Sequence, residues 1–320
     1  MTPSLRLFQR LAWTAPVLLF LFLLTQALVR TQAENDEPAD KRKIYIVAGP
    51  PSHPSGQHEF YAGAMILQRA LNEQSGLPLE AIVYKHAWPE DPAAFENAAA
   101  VVIYSDGGGG HPAGPHLDEL DALLAKGVGL MCMHYAVEVP KGDWGDRFTR
   151  WIGGFYEGGF SVNPHWNAKM EANRHHPVSR GVGVTLAHDE WYFNIRFPQP
   201  KQAVDLMTAL PTEEALTRRI HWNPAGDAAL GKDQALMWGI QRPDGGRGVG
   251  FTGGHWHYNW AIDEFRTLVL NAIVWTAGLD VPESGVKSDP VAEEQLNENL
   301  DPKGDMVRVQ LPDLPVPKKD

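Results

Sequence analysis

Four short apolar runs recur along the first half of the chain, at residues 43–48 (KIYIVA), 80–84 (EAIVY), 100–104 (AVVIY) and 128–133 (VGLMCM). Between them the spacing becomes helical. Phe60, Ala64, Leu67 and Leu71 lead up to Gly76, and Leu117, Leu120, Leu123 and Leu124 lead up to Gly127. Continuous apolar strands alternating with amphipathic helices predict an α/β fold, a parallel sheet covered by helices on both faces. The pattern returns at 235–238 (ALMW) and 248–251 (GVGF). A last helix follows, carrying Phe265, Leu268, Val269, Ala272 and Ile273 and stopped at Gly278. Residues 140–230, rich in Trp, Gly, Asn and Pro, break the rhythm. They read as an elaboration over the sheet edge, with strands at 168–171 and 203–207.

At 320 residues and 43% hydrophobic, the chain can bury one large core, placed at residues 43–280. Residues 1–33 read as a signal peptide: Arg6 and Arg10 precede an apolar run, and small-residue sites end at Ala27 and Ala33. This implies a periplasmic or secreted protein, with an uncleaved membrane anchor as the alternative. Residues 34–42 read as a linker and 281–320 as an extended tail, since neither shows apolar periodicity. The single cysteine, Cys132, excludes an intramolecular disulfide. A net charge of -11 without a concentrated basic face excludes nucleic acid as partner. No basic amphipathic stretch remains for a membrane surface once the leader is removed, and a homo-oligomer is left open.

Ligands of an open parallel sheet bind beyond the carboxyl ends of its strands. Here those ends carry chemistry. The first leads into His53 and His58, the third into Asp106 and the glycines at 107–110 before His111, the fourth into His134, and the last into Gly253, Gly254, His255 and His257. No Lys-Ser/Thr pair follows the glycines, so a phosphate loop and a nucleotide cofactor are not expected. Histidines from several strand ends point instead to a divalent metal, zinc or similar, held by His58, His134, His255 and His257. Asp106, Asp189 or Glu190 would complete a mixed nitrogen and oxygen set. His255 and His257 share a side only if the backbone stays extended. Residues 188–194 (HDEWYFN) and 163–166 (NPHW) mix carboxylates and amides with aromatic rings, a combination suited to a sugar. Candidate substrate contacts are Asp106, Gly107, Gly108, His165, Trp166, Asp189, Trp191 and Trp256.

The ordered series Gly49…His53…His58, 106–112 (DGGGGHP), 129–134 (GLMCMH), 188–192 (HDEWY) and 251–255 (FTGGH) resembles the ThuA-like, trehalose-utilisation family, over about residues 43–280. The resemblance implies a flavodoxin-like sheet similar to class I glutamine amidotransferases, and a role in catabolism of disaccharides and keto-sugar derivatives. Amidotransferases place a nucleophilic cysteine after a central strand. His134 stands there, with Cys132 two residues back inside the strand, and no carboxylate follows His255, so glutamine hydrolysis is excluded. Two readings follow. One is an exported carbohydrate enzyme of hydrolase or lyase type, using His134, His255 and Glu190 for acid–base work around a metal. The other is a non-catalytic carbohydrate-binding or scaffold module.

Overall fold

The computed structural model describes residues 41–91, 93–211, 213, 223–304 and 307–311, so the expected signal peptide and most of the linker lie outside the described residues. Alternation along the buried strands divides the core in two. On β1 (Arg42–Ala48), Ile44, Ile46 and Ala48 face one layer while Tyr45 and Val47 face the other. β3 (Ala98–Tyr104) and β4 (Gly129–Met133) repeat this, sending Val102, Tyr104, Met131 and Met133 to the first layer and Val101, Ile103, Leu130 and Cys132 to the second. Helices α1 (Phe60–Arg69) and α5 (Asp263–Thr276) cover the first layer; α2 (Leu117–Leu124) and α3 (Asp143–Ile152) cover the second.

Nine strands form one sheet in the order β2-β1-β3-β4-β9-β8-β7-β5-β6. β2 (Leu79–Lys85), β1, β3, β4 and β9 (Arg247–Phe251) are parallel. β8 (Gln234–Gln241), preceded by the short helix α4 (Pro224–Asp227), β7 (Val204–Ala209), β5 (His165–Ala172) and β6 (Thr185–Glu190) continue the sheet antiparallel. Strands β5, β6 and β7, from the stretch expected to lie over the sheet edge, therefore extend the sheet instead. From β1 the chain passes to β2 on one side and then crosses back to β3 on the other, so the strand order reverses there, the place where sheets of this kind hold a crevice at their carboxyl ends. In β5 and β6 the register sets His165 opposite Glu190 and Trp166 opposite Asp189, bringing carboxylates of the antiparallel half to that crevice.

Among the described residues after α5, regular structure is confined to α6 (Glu293–Leu296), yet these residues are docked. Val286, Leu296 and Val309 are buried in the first core layer. Among the described residues no helix is long and apolar enough to cross a membrane.

Candidate metal centre at the carboxyl edge of the sheet

Four strand ends and one antiparallel strand deliver the site. His53 and His58 lie between β1 and α1, Asp106 follows β3, His134 follows β4, His255 follows β9, and Glu190 ends β6. His53, His58 and His134 hold positive φ of 63°, 47° and 55°. This conformation costs a non-glycine residue about 1–2 kcal/mol and persists where the surroundings enforce it. The enforcement is visible: His58 N donates to His255 O at 3.0 Å and His257 N to Gly56 O at 2.9 Å, locking the two loops together. Gly254 turns the second loop at φ 110°, and a Cβ on Gly253 would meet the Trp191 ring at 2.5 Å.

His58, His134, His255 and Glu190 are all buried, with 0 to 7% exposure. Their ligand atoms converge. His58 Nε2 lies 3.0 Å from His134 Nε2 and 3.0 Å from His255 Nδ1, and the last two are 3.3 Å apart. Glu190 Oε2 is 3.2 Å from His255 Nδ1 and 3.6 Å from His134 Nε2. A tetrahedral ion with bonds of about 2.0–2.2 Å sets its ligand atoms roughly 3.3–3.6 Å apart, close to these edges.

Hydrogen bonds on the far side of two rings fix where their protons are. His134 Nδ1 donates to Thr252 O at 3.0 Å, and His58 Nδ1 donates to the Asp106 carboxylate at 2.7 Å. In neutral rings both Nε2 atoms are then bare lone pairs, facing each other and His255 Nδ1. Burial first, and neighbouring imidazoles second, hold the pKa of His58 and of His134 well below the ordinary histidine value, so a proton does not relieve the repulsion at neutral pH. His255 Nε2 is buried without a hydrogen-bond partner. Two imidazoles oriented by a carboxylate and a carbonyl, with lone pairs aimed at one point, form the arrangement that metal sites use.

Glu190 is held from its other oxygen, which accepts from Asn163 Nδ2 at 2.9 Å and lies 3.7 Å from His165 Nε2. Burial alone would raise its pKa. The hydrogen bond from His255 and the electrostatic pull of the imidazoles of His134, His255 and His165 outweigh burial, and the pKa falls. The Tyr192 hydroxyl stands 3.4 Å from Glu190 Oε2 and 3.5 Å from His134 Nε2; burial raises its pKa well above the usual phenol, so it keeps its proton.

The family model described as ThuA, trehalose utilisation, matches residues 55–276. The chain belongs to the ThuA family. Two solved structures of ThuA-like proteins share its fold. One, from Bacteroides uniformis, is 17% identical with a TM-score of 0.54, over 77% of this chain and 94% of that one. The other, from Parabacteroides merdae, is 16% identical with a TM-score of 0.53, over 81% and 99%. No curated protein matches the chain significantly.

Several expected site residues serve the ThuA domain differently. His257 is not in the cluster: the backbone enters a 3-10 turn, His257–Ala261, and its buried ring bonds Leu296 O through Nε2 at 3.0 Å. Trp191 is fully buried against Phe251 and Phe265, and Trp166 is buried with its Nε1 donating to Trp191 O, so neither ring offers a face to a sugar. Gly107 does not make room for a ligand, because a Cβ there would lie 2.0 Å from Tyr135 O. Gly108 N donates to Glu138 O at 2.8 Å, and the glycine loop thus seats the turn that begins at His134. Asp189 is fully buried beneath His255: Oδ1 accepts from His255 N at 3.0 Å and Glu190 N at 2.8 Å, Oδ2 from Gly254 N at 2.8 Å and Asn259 Nδ2 at 2.9 Å. Asp106, His165 and Trp256 remain partly open, and Trp256 Nε1 donates to His165 Nδ1 at 3.4 Å. Sequence reasoning passed over Tyr192, Thr252 and Asn259. Tyr192 stood inside the quoted 188–192 motif, whereas Thr252 acts through its backbone carbonyl, which leaves no mark in a sequence. Cys132 is buried in β4, and burial pushes its thiol pKa up, leaving it without thiolate character.

Proposed function

We propose that this protein is a metal-dependent enzyme acting on a carbohydrate, a disaccharide or keto-sugar derivative, with His58, His134, His255 and Glu190 holding one divalent ion such as zinc. The observation that carries the reading is the pair of bare Nε2 atoms on His58 and His134, aimed at one point by Asp106 and Thr252 O. When bound, the ion supplies Lewis acidity to a substrate oxygen or to water. Glu190 lies between the buried histidines and the partly open His165, the position of a group that passes a proton to a ligand at the crevice. Tyr192 stays protonated beside it and donates a hydrogen bond to developing negative charge. The partly exposed Trp256 ring covers the apolar face of a sugar, while Asp106 and His165 bond its hydroxyls. Export through the leader at residues 1–33 belongs to the same proposal.

The test incubates zinc-loaded protein with a panel of disaccharides and keto-sugars and follows their consumption. The expected result is turnover of at least one sugar, lost in Glu190→Gln and weakened chiefly in KM in Trp256→Ala. Sugar-dependent thermal stabilisation without turnover of any panel member would replace the enzyme with a binding module.

A further inference from the structure

Lys303 lies beyond the residues that the family model matches, yet its side chain is only 6% exposed. Lysine is almost never buried to this extent without partners, and the partners are specific. Nζ pairs with the buried Glu59 carboxylate at 3.1 Å and donates to Ser52 O at 2.9 Å and to Gln57 O. Glu59 Oε1 in turn accepts from Gly56 N at 2.9 Å. All these acceptors lie on, or at the end of, the loop that carries His53 and His58 in left-handed conformations. One ammonium therefore gathers the carbonyls of a strained loop and closes it against the helix that follows.

The segment bearing Lys303 is itself anchored on both sides. Asp301, 3% exposed, pairs with Lys85 at 3.0 Å and His86 at 2.9 Å. Asn297 and Val309 exchange hydrogen bonds at 2.9 Å, and Val307 N donates to Ser55 Oγ at 3.2 Å. Leu296 O accepts from His257, so the same segment also backs the loop of His255.

We propose that Lys303 is a positioning residue for the metal centre. It holds the 52–59 loop so that His58 Nε2 stays aimed at the point shared with His134 and His255, which makes the C-terminal segment part of the site. This rests on the metal reading above. The experiment measures zinc affinity of the full chain by competition with a chromophoric chelator, together with thermal stability. The proteins are the wild type, Lys303→Met, Glu59→Gln and the Lys303→Met/Glu59→Gln pair. Lys303→Met alone leaves the Glu59 charge buried and unpaired; the pair removes that charge and recovers stability relative to Lys303→Met. It does not restore the bonds to Ser52 O and Gln57 O, so its zinc affinity stays roughly 10- to 100-fold below wild type, the range for losing an outer support of a metal ligand. Wild-type zinc affinity in the double variant would overturn the positioning role and leave the metal reading standing. A wild type that binds no zinc would overturn both.

Discussion

Exchanging Asp189 for asparagine removes a charge and turns one acceptor into a donor directly beneath His255. Both carboxylate oxygens accept only from N–H groups: His255 N, Glu190 N and, at 3.4 Å, Trp256 N on Oδ1, Gly254 N and Asn259 Nδ2 on Oδ2. The less damaging orientation puts the new NH2 group at the Oδ2 position, where it faces two donors. Turning Asn259 to present its oxygen repairs one contact but breaks the bond from its Nδ2 to His188 O at 2.9 Å, so two bonds are lost in either case. Hydrogen bonds to charged groups contribute about 1.5–3 kcal/mol each, giving roughly 3–6 kcal/mol; an amide is easier to bury than a carboxylate, and a net loss of about 2–4 kcal/mol is expected. Urea unfolding of the metal-free protein, followed by tryptophan fluorescence, measures it. The freed backbone N–H of Gly254, the residue before His255, should also weaken zinc binding at least about tenfold, as loss of an outer support does. A stability change below about 0.5 kcal/mol, the size of an ordinary surface substitution, would refute the place given to Asp189.

Two further outcomes follow from buried titratable groups. Cys132→Ala should retain full zinc content and any turnover at a stability loss of about 1 kcal/mol, and the native thiol should resist a thiol reagent; loss of activity would restore a nucleophilic role. The Glu138 carboxyl is pushed up from 4.5 to about 7, by burial first and the charge of Glu190 second. The folded protein then binds a proton that the unfolded chain releases, so stability falls as pH rises through that window. Glu138→Gln should remove about 2–3 kcal/mol of this stability change across the window in metal-free protein, and an unchanged slope in pH-dependent urea unfolding would contradict the assignment.

The parallel half of the fold was legible because strands buried on both faces must be continuously apolar, as 44–48 and 100–104 are. The histidines were legible as a group because strand ends of such a sheet share one edge. β6 was not, since Asp189 and Glu190 are poor strand formers, placed there by partners elsewhere: backbone N–H groups for one, the histidine cluster for the other. His257 misled because alternation of side chains holds only on extended backbone, and the 3-10 turn begins at that residue. The docking of the C-terminal segment was hidden for a similar reason: Val286, Leu296 and Val309 anchor it as isolated residues without any period.

Metal content tests the central claim most directly. The chain is purified without a histidine tag and assayed by elemental analysis as wild type, His134→Ala, His58→Ala and Cys132→Ala. The convergent lone pairs predict about one equivalent of a divalent transition metal in wild type and Cys132→Ala, the single-ion stoichiometry of such a site, and its loss in both histidine variants. Absence of metal from the wild type after zinc reconstitution, or its retention in both histidine variants, would contradict it.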